Sequence, residues 1–316
     1  MNEPTPIALG GAGAAPFLRR LFLATRPKFL TASVLPVLLG TAYGVGLAGG
    51  WDVPAFLVAL LATVLVHGGI NVLNDVYDER SGNDRVNDGR IHPYSGGSRF
   101  IQNGVLNLAS MTALGWGLLA AGVVVGMALA ALVGWGVMWF GVIGVALGVF
   151  YSAPPVWLSA RGLGEAAVAA GFGLLPVTGA AWVQSGTLDG GAVLLSVPVG
   201  LWIANVLLIN EVPDMRADAS VGRRTLAVLL GRRGAALLYA VSGLGAVAAV
   251  AVAAALGIVP VWTVAGPVLL LALGRNGFKG ILSDDRDALR RGIEATLAQH
   301  VLGTIWLTLV VVYAAY

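Results

Sequence analysis

Solid runs of apolar residues, each closed by a few polar positions, recur along this chain from about residue 29 to its end. The runs fall at 29–48, 53–79, 107–131, 134–152, 164–185, 191–212, 235–257, 259–274 and 294–315. Most reach the roughly 20 residues that a helix needs to cross a bilayer core of about 30 Å. None alternates apolar with polar residues, so a transmembrane β-barrel is excluded. The pattern predicts an all-α integral membrane protein with about nine transmembrane helices. The run at 259–274 is the shortest and begins beside Pro260.

Composition agrees, with 57% hydrophobic and only 11% charged residues. The 45 glycines suit membrane helices, whose backbones approach closely where side chains are small. Charge then orients the spans. All 19 Lys and Arg fall before the first span or after the second, fourth, sixth and eighth, whereas the opposite loops carry Asp52 and Asp189 and no cation. Positive loops stay in the cytoplasm, which places the N-terminus inside and, for an odd number of spans, the C-terminal Tyr316 outside. The high pI of about 9.4 therefore reflects topology and phosphate chemistry, and nucleic-acid binding is a poor reading. Residues 1–20, rich in Gly, Ala and Pro, are expected to be flexible and lack the order of a cleavable signal peptide. Residues 21–316 then form one transmembrane domain. The chain has no cysteine, so thiolate chemistry is absent.

Against this background two acidic clusters stand out, NDVYDERSGND at 74–84 and NEVPDMRAD at 210–218. Carboxylates at membrane depth are costly and mark function by default. Asn71, Asn74, Asp75 and Asp78 are spaced i, i+3, i+4 and i+7, one face of a helix, with His67 on the same stripe. Asn210, Asp214 and Asp218 repeat the spacing of four, with Asn205 and Glu211 beside them and Pro213 placed to kink or end the helix. Each cluster closes an apolar helix and precedes a basic loop, so the two halves echo one another, and a substrate site between halves is the usual consequence. Hard Mg²⁺ bound by a few carboxylates shares its other positions with substrate phosphates. Two facing clusters thus predict an intramembrane diphosphate site.

The chain resembles the UbiA superfamily of intramembrane aromatic prenyltransferases, and within it the dihydroxynaphthoate prenyltransferases of menaquinone synthesis. The resemblance is carried by RPKFLTASVLPVLLGTA at 26–42, NDVYDERSGND at 74–84, HPYSGGSRFIQNG at 92–104, YSAPPVWLSARGLGE at 151–165 and NEVPDMRADASVGRRTLAVLLG at 210–231. It implies a helix bundle around a central cavity in an inner, cytoplasmic membrane. It also implies Mg²⁺-dependent transfer of a polyprenyl group from its diphosphate to an aromatic acceptor, 1,4-dihydroxy-2-naphthoate first and a hydroxybenzoate or specialised phenol second. Metal ligation then falls to Asp75, Asp78, Asp84, Asp214, Asp218 and Glu211, with either Asn210 or Glu211 taking the first place of the second motif. Asp75, Asp78, Asp214 and Asp218 are the catalytic acids, and Asn71, Asn74 and Asn210 serve substrate binding. The chain departs from many relatives at Gly82, where they carry an acid that appears here at Asp84, and at Ser159, where they carry a lysine.

The chemistry asks for the same residue types. Breaking an allylic carbon–oxygen bond builds charge on the leaving diphosphate, which metal and positioned cations stabilise. Lys28, Arg99 and Arg161 are the candidates for direct contact, followed by Arg223 and Arg224. Electron-rich walls for the allylic cation could come from Tyr77, Tyr94, Tyr151, Phe172 and Trp202, and His67, Asp75 or Asp78 could take or position a proton. The apolar tail is expected along residues 174–181. The loop 80–106, the longest between spans, is expected to fold back as a lid carrying Gly96-Gly97-Ser98-Arg99 over the diphosphate. A secondary transporter would also show duplicated halves, but with polar sites nearer mid-membrane than these helix ends.

Overall fold

Helix ends in this protein are fixed by local chemistry on both faces of the bundle. The computed structural model describes residues 3–10 and 13–315. Helix α1 (Ala14–Ala24) leads through a short turn at Pro27–Phe29 into α2 (Thr31–Ala48), α3 (Val53–Ser81) and the single turn α4 (Asn83–Val86). Then follow α5 (Leu108–Val133), α6 (Val137–Ser152) and α7 (Gly164–Ala169), which passes through a π turn at Ala170–Leu174 into α8 (Leu175–Ser185). The second half holds α9 (Gly190–Glu211), α10 (Met215–Ser220), α11 (Leu226–Ala255), α12 (Ala265–Leu282) and α13 (Arg286–Ala315). Among the described residues there is no strand. Among the described residues eight helical segments are long and apolar enough to cross a membrane, and α6 is a shorter apolar helix of 16 residues.

The two acids on the cation-free loops turn out to be helix caps. Asp52 accepts from the Ala55 amide at 2.9 Å at the start of α3, and Asp189 accepts from Gly191 at 2.7 Å at the start of α9. Each satisfies an orphan amide and sits at the positive end of a helix dipole. Asp189 also accepts from the Tyr43 hydroxyl at 2.6 Å, and Gln184 brackets the backbone of Asp52, so this face is tied together without a cation. At the other ends, Gly82 in the left-handed region (φ 80°) closes α3, and α9 stops at Glu211 just before Pro213.

Three helices run further than hydropathy indicated. α11 starts at Leu226 instead of 235, α12 continues to Leu282 beyond 274, and α13 begins at Arg286, eight residues before 294. The apolar signal fades where Arg232, Arg275 and Arg290 enter: α11 kinks at Gly231 (φ 63°, ψ 174°), beyond which Arg232 donates to the Ile281 carbonyl at 3.3 Å, while α12 and α13 stay helical through the exposed Arg275 and Arg290. The segment expected to be flexible contains the start of α1, and Glu3 binds Arg90 and Asn103 of the long loop. The expected outer terminus at Tyr316 lies outside the described residues.

Packing reflects the echo between halves. In each half the helix that ends in acids packs on the helix after its basic loop, α3 on α5 and α9 on α11, while α2 packs along α8 and α12 along α13. Gly40 makes the α2–α8 approach possible, since a Cβ there would stand 2.1 Å from the Val177 carbonyl oxygen. The largest core cluster lies around Trp202 on α9, walled by Leu39, Leu195, Val199, Val250 and Leu307.

Candidate active site

The acidic ends of α3 and α9 open into one cavity of about 740 Å³. At about 100° per residue, His67, Asn71, Asn74 and Asp78 share one face of α3, and all four line this cavity. Asp78 accepts from Asn74 at 3.2 Å and from Arg223 at 3.0 Å; Asn74 is held in turn by Ser152 at 3.0 Å. Arg223 also stands 3.5 Å from Asp218, so one buried guanidinium joins the two acidic clusters. Asp84, Asp214, Asp218, Asn210, Glu211 and Tyr151 complete the acidic mouth, with Glu211 lying beside Glu165.

Asp75 sits at the edge of the α3 face and is turned away from the cavity. It is buried against Arg26, which does line the cavity, and it accepts from the Ser98 amide at 3.1 Å. Two amides later in space, Gly96 donates to Asp214 at 3.2 Å. The long loop therefore folds over the mouth and binds an acid of each half. Gly97 between them has φ +74°, and a Cβ there would stand 2.6 Å from an Asp84 carboxylate oxygen, so only glycine lets this loop approach.

Several expected contacts lie elsewhere. Arg99 is buried and donates to the Asp84 carbonyl, pinning the turn that carries Asp84, and it is not part of the cavity wall. Arg161 is exposed and donates to the Pro155 carbonyl at 2.7 Å, and Lys28 also lies off the wall. Tyr94, Tyr151 and Phe172 line the cavity, whereas Tyr77 packs under Arg80 and Trp202 belongs to the core behind it. Leu175, Pro176, Gly179 and Ala180 supply wall within the stretch expected to face the tail.

Electrostatics decide what such a mouth can hold. Five carboxylates (Asp78, Asp84, Asp214, Asp218 and Glu211) face two guanidiniums (Arg26 and Arg223), leaving the lining three charges negative when all are ionised. Burial pushes Asp84 up to about 7, with Asp78 adding to the effect; it pushes Asp218 to about 7 against the pull of Arg223, and Asp214 to about 6. The two guanidiniums only partly offset these acids. Among the described residues no three acidic or histidine side chains converge into a ready-made cage. That suits Mg²⁺, which keeps several positions for water and phosphate oxygens and takes one or two carboxylates from the protein. Unpartnered Asp214 Oδ1 and Asn83 Oδ1 are further hard donors at the same mouth. The donor set at the mouth, hard oxygens from both halves, fits such an ion.

The UbiA prenyltransferase family pattern matches residues 33–298. The chain belongs to this family. It is similar to a Bacillus subtilis (strain 168) protein named 1,4-dihydroxy-2-naphthoate octaprenyltransferase, 28% identical over 224 residues, covering 70% of this chain and 69% of that one. It is also similar to the 2-carboxy-1,4-naphthoquinone phytyltransferase of Synechocystis sp., 30% identical over 246 residues, covering 74% and 72%. Its fold matches that of a UbiA homolog from Archaeoglobus fulgidus bound to GPP and Mg²⁺, with TM-score 0.60 and 16% identity over 91% of this chain and 99% of that one. The protein is a membrane-embedded prenyltransferase.

Two features of the prenyltransferase site escaped sequence reasoning. Arg26 reads as one more basic anchor before the first span, and nothing local says that it reaches Asp75. The amides of Gly96 and Ser98 carry no side-chain signal, although the consecutive glycines hinted that backbone could approach an anion.

Proposed function

We propose that this prenyltransferase moves a polyprenyl group from its diphosphate to 1,4-dihydroxy-2-naphthoate with Mg²⁺ as cofactor. The observation that carries the reading is the single cavity in which both acidic helix ends meet above a long apolar bore. The naphthoate-type acceptors named for the two curated relatives support the choice of ring. Bound Mg²⁺ would neutralise the carboxylates and the diphosphate together, making its departure favourable. Arg26 and Arg223 are placed to meet charge developing on the leaving oxygens, and Asp78 and Asp218 hold Arg223 in position. The loop over the mouth excludes water from the allylic cation. Tyr151 and Phe172 line the wall beside the acids, where electron-rich rings can steady the cation; the acceptor ring attacks and then loses the proton or carboxylate from the carbon that takes the prenyl group.

The test offers purified protein a polyprenyl diphosphate, Mg²⁺ and equimolar dihydroxynaphthoate and 4-hydroxybenzoate, with products read by mass spectrometry. Prenylated naphthol should dominate, and chelation of the metal should stop diphosphate release. Predominant prenyl-hydroxybenzoate would move the protein to another acceptor class.

The same reading places the acidic mouth on the cytoplasmic side of a bacterial-type inner membrane, because every Lys and Arg lies toward that end. In this cysteine-free chain, Asp88→Cys should resist an impermeant maleimide applied outside intact cells, whereas Thr187→Cys should react; both positions are exposed. The reverse labelling would invert the orientation.

A further inference from the structure

Most of the cavity wall lies far from the acids that recognise a diphosphate. Along α3 the lining continues from Asp78 past His67 and Ala62 to Ala59, about 28 Å at 1.5 Å per residue. That is close to the full depth of a bilayer's hydrocarbon core, about 30 Å. The deep end is closed by a buried apolar cluster in which Ala59, Leu129, Val137 and Val183 meet, backed by Met138 and Trp182. At the other end Asn83, itself 4% exposed, keeps an unpartnered Oδ1 at the wall, so bore and mouth form one site.

Glycines on this wall divide into two kinds. Gly122 and Gly148 are helix contacts, since an added Cβ would stand 2.7 Å from Val66 Cγ2 and 2.0 Å from Ile70 Cδ1 respectively. Gly126, half-buried on α5, and Gly141, exposed on α6 where the cavity opens sideways, line the cavity as well, yet a Cβ on either would meet nothing within 4 Å. Close helix approach does not call for glycine at these two positions, and glycine inside a helix is otherwise unfavourable relative to alanine. Their depth follows from their neighbours. One turn beyond the Gly122–Val66 contact, Gly126 comes level with Ala62; two turns beyond the Gly148–Ile70 contact, Gly141 reaches the same level. All three line the bore about 24 Å below Asp78.

We propose that Ala62, Gly126 and Gly141 form a collar that sets how long a prenyl tail the enzyme accepts. This rests on the prenyl-transfer reading above. The tail's first units lie beside His67 and Phe172, and a tail that reaches about 24 Å below the acids meets the collar one turn above the closed end; small side chains there keep the bore open for a long substrate. A competing exit exists between α5 and α6, where the cavity rim includes the exposed Trp116, Val123, Val142 and Phe150. A tail leaving sideways at that rim would pass the exposed Gly141 but not Gly126 or Ala62, so Gly126→Leu is the variant that separates the bore from the side exit.

The experiment measures kcat/KM for geranyl diphosphate and for an eight-unit octaprenyl diphosphate, with Mg²⁺ and one acceptor, in wild type, Gly126→Leu and Gly141→Leu. Gly117→Leu is the control; it lies on the same helix with open space around its Cβ but off the cavity wall. Collar variants should lower the octaprenyl-to-geranyl ratio by about tenfold or more, as a pocket does when a few carbons no longer fit. Continued turnover of geranyl diphosphate reports that they fold, and the control should keep the wild-type ratio. If a leucine variant does not fold, Gly126→Ala and Gly141→Ala decide, with a smaller fall of the same sign. An unchanged ratio in Gly126→Leu, a parallel loss for both diphosphates in a folded variant, or the same fall in Gly117→Leu would overturn the collar. Wild type that transfers no prenyl group from either diphosphate would instead bring down the underlying reading, and the collar with it.

Discussion

Asp78→Ala and Asp214→Ala should each cut prenyl transfer by more than about a thousandfold, roughly 4 kcal/mol of transition-state stabilisation, while leaving a folded membrane protein. Both carboxylates line the mouth, one from each half. Asp78 fixes Arg223 and Asn74, and Asp214 fixes the Gly96 amide of the covering loop, so each loss removes both a carboxylate proposed for the metal and the anchor of a neighbouring group at the mouth. Asp78→Asn and Asp214→Asn separate the two roles, since an amide keeps the shape and some hydrogen bonding but not the charge. The assay is diphosphate release at saturating Mg²⁺ and allylic substrate, beside a thermal unfolding curve. Rates near wild type in either alanine variant would remove that residue from the site.

Arg223→Met should be the most destabilising single change at the mouth. Arg223 is buried between Asp78 and Asp218, and its loss strands Asp218 and leaves Asp78 with only the longer-range pull of Arg26. Breaking a buried ion pair by removing one partner costs about 3–5 kcal/mol. Thermal stability in chelator should fall clearly, Mg²⁺ should restore part of it by supplying the missing positive charge, and turnover should stay down by about a hundredfold or more even with metal. Arg223→Lys retains a cation but not the two-sided reach of the guanidinium and should fall between. A variant as stable as wild type in chelator would mean that the two halves do not depend on this bridge.

The periodic part of this structure was legible in the sequence. Apolar runs located the helices, and the i, i+3, i+4, i+7 spacing placed His67, Asn71, Asn74 and Asp78 on one wall. Asp75 satisfies the same spacing but faces Arg26, because a stripe fixes an angle on the helix and leaves open which neighbour stands there. Contacts between distant segments were not legible. Arg223 and Asp78 are 145 residues apart, and Gly96 and Asp214 are 118 apart, with no local pattern to couple them. The basic residues misled for a related reason: topology alone puts every cation on one face, so proximity to the motifs could not separate Arg26 and Arg223, which line the cavity, from Lys28 and Arg161, which do not. Trp202 looked like an active-site aromatic by its distance from Asn210 along the chain, but it lies on the α9 face that packs on Gly303.

The first described residues have a bearing on how the protein is handled. Glu3 binds Arg90 and Asn103, and the Pro4 carbonyl accepts from Asn103 at 2.9 Å, so residues 3 and 4 are fastened to the loop that covers the mouth. A purification tag or fluorescent fusion joined ahead of Glu3 would stand beside that loop and load its fastening. The far end of α13 lies about 44 Å along the helix from Arg286, which itself touches the loop at the Arg90 carbonyl. For immobilisation or labelling, attachment after α13 keeps the added mass away from the reacting end.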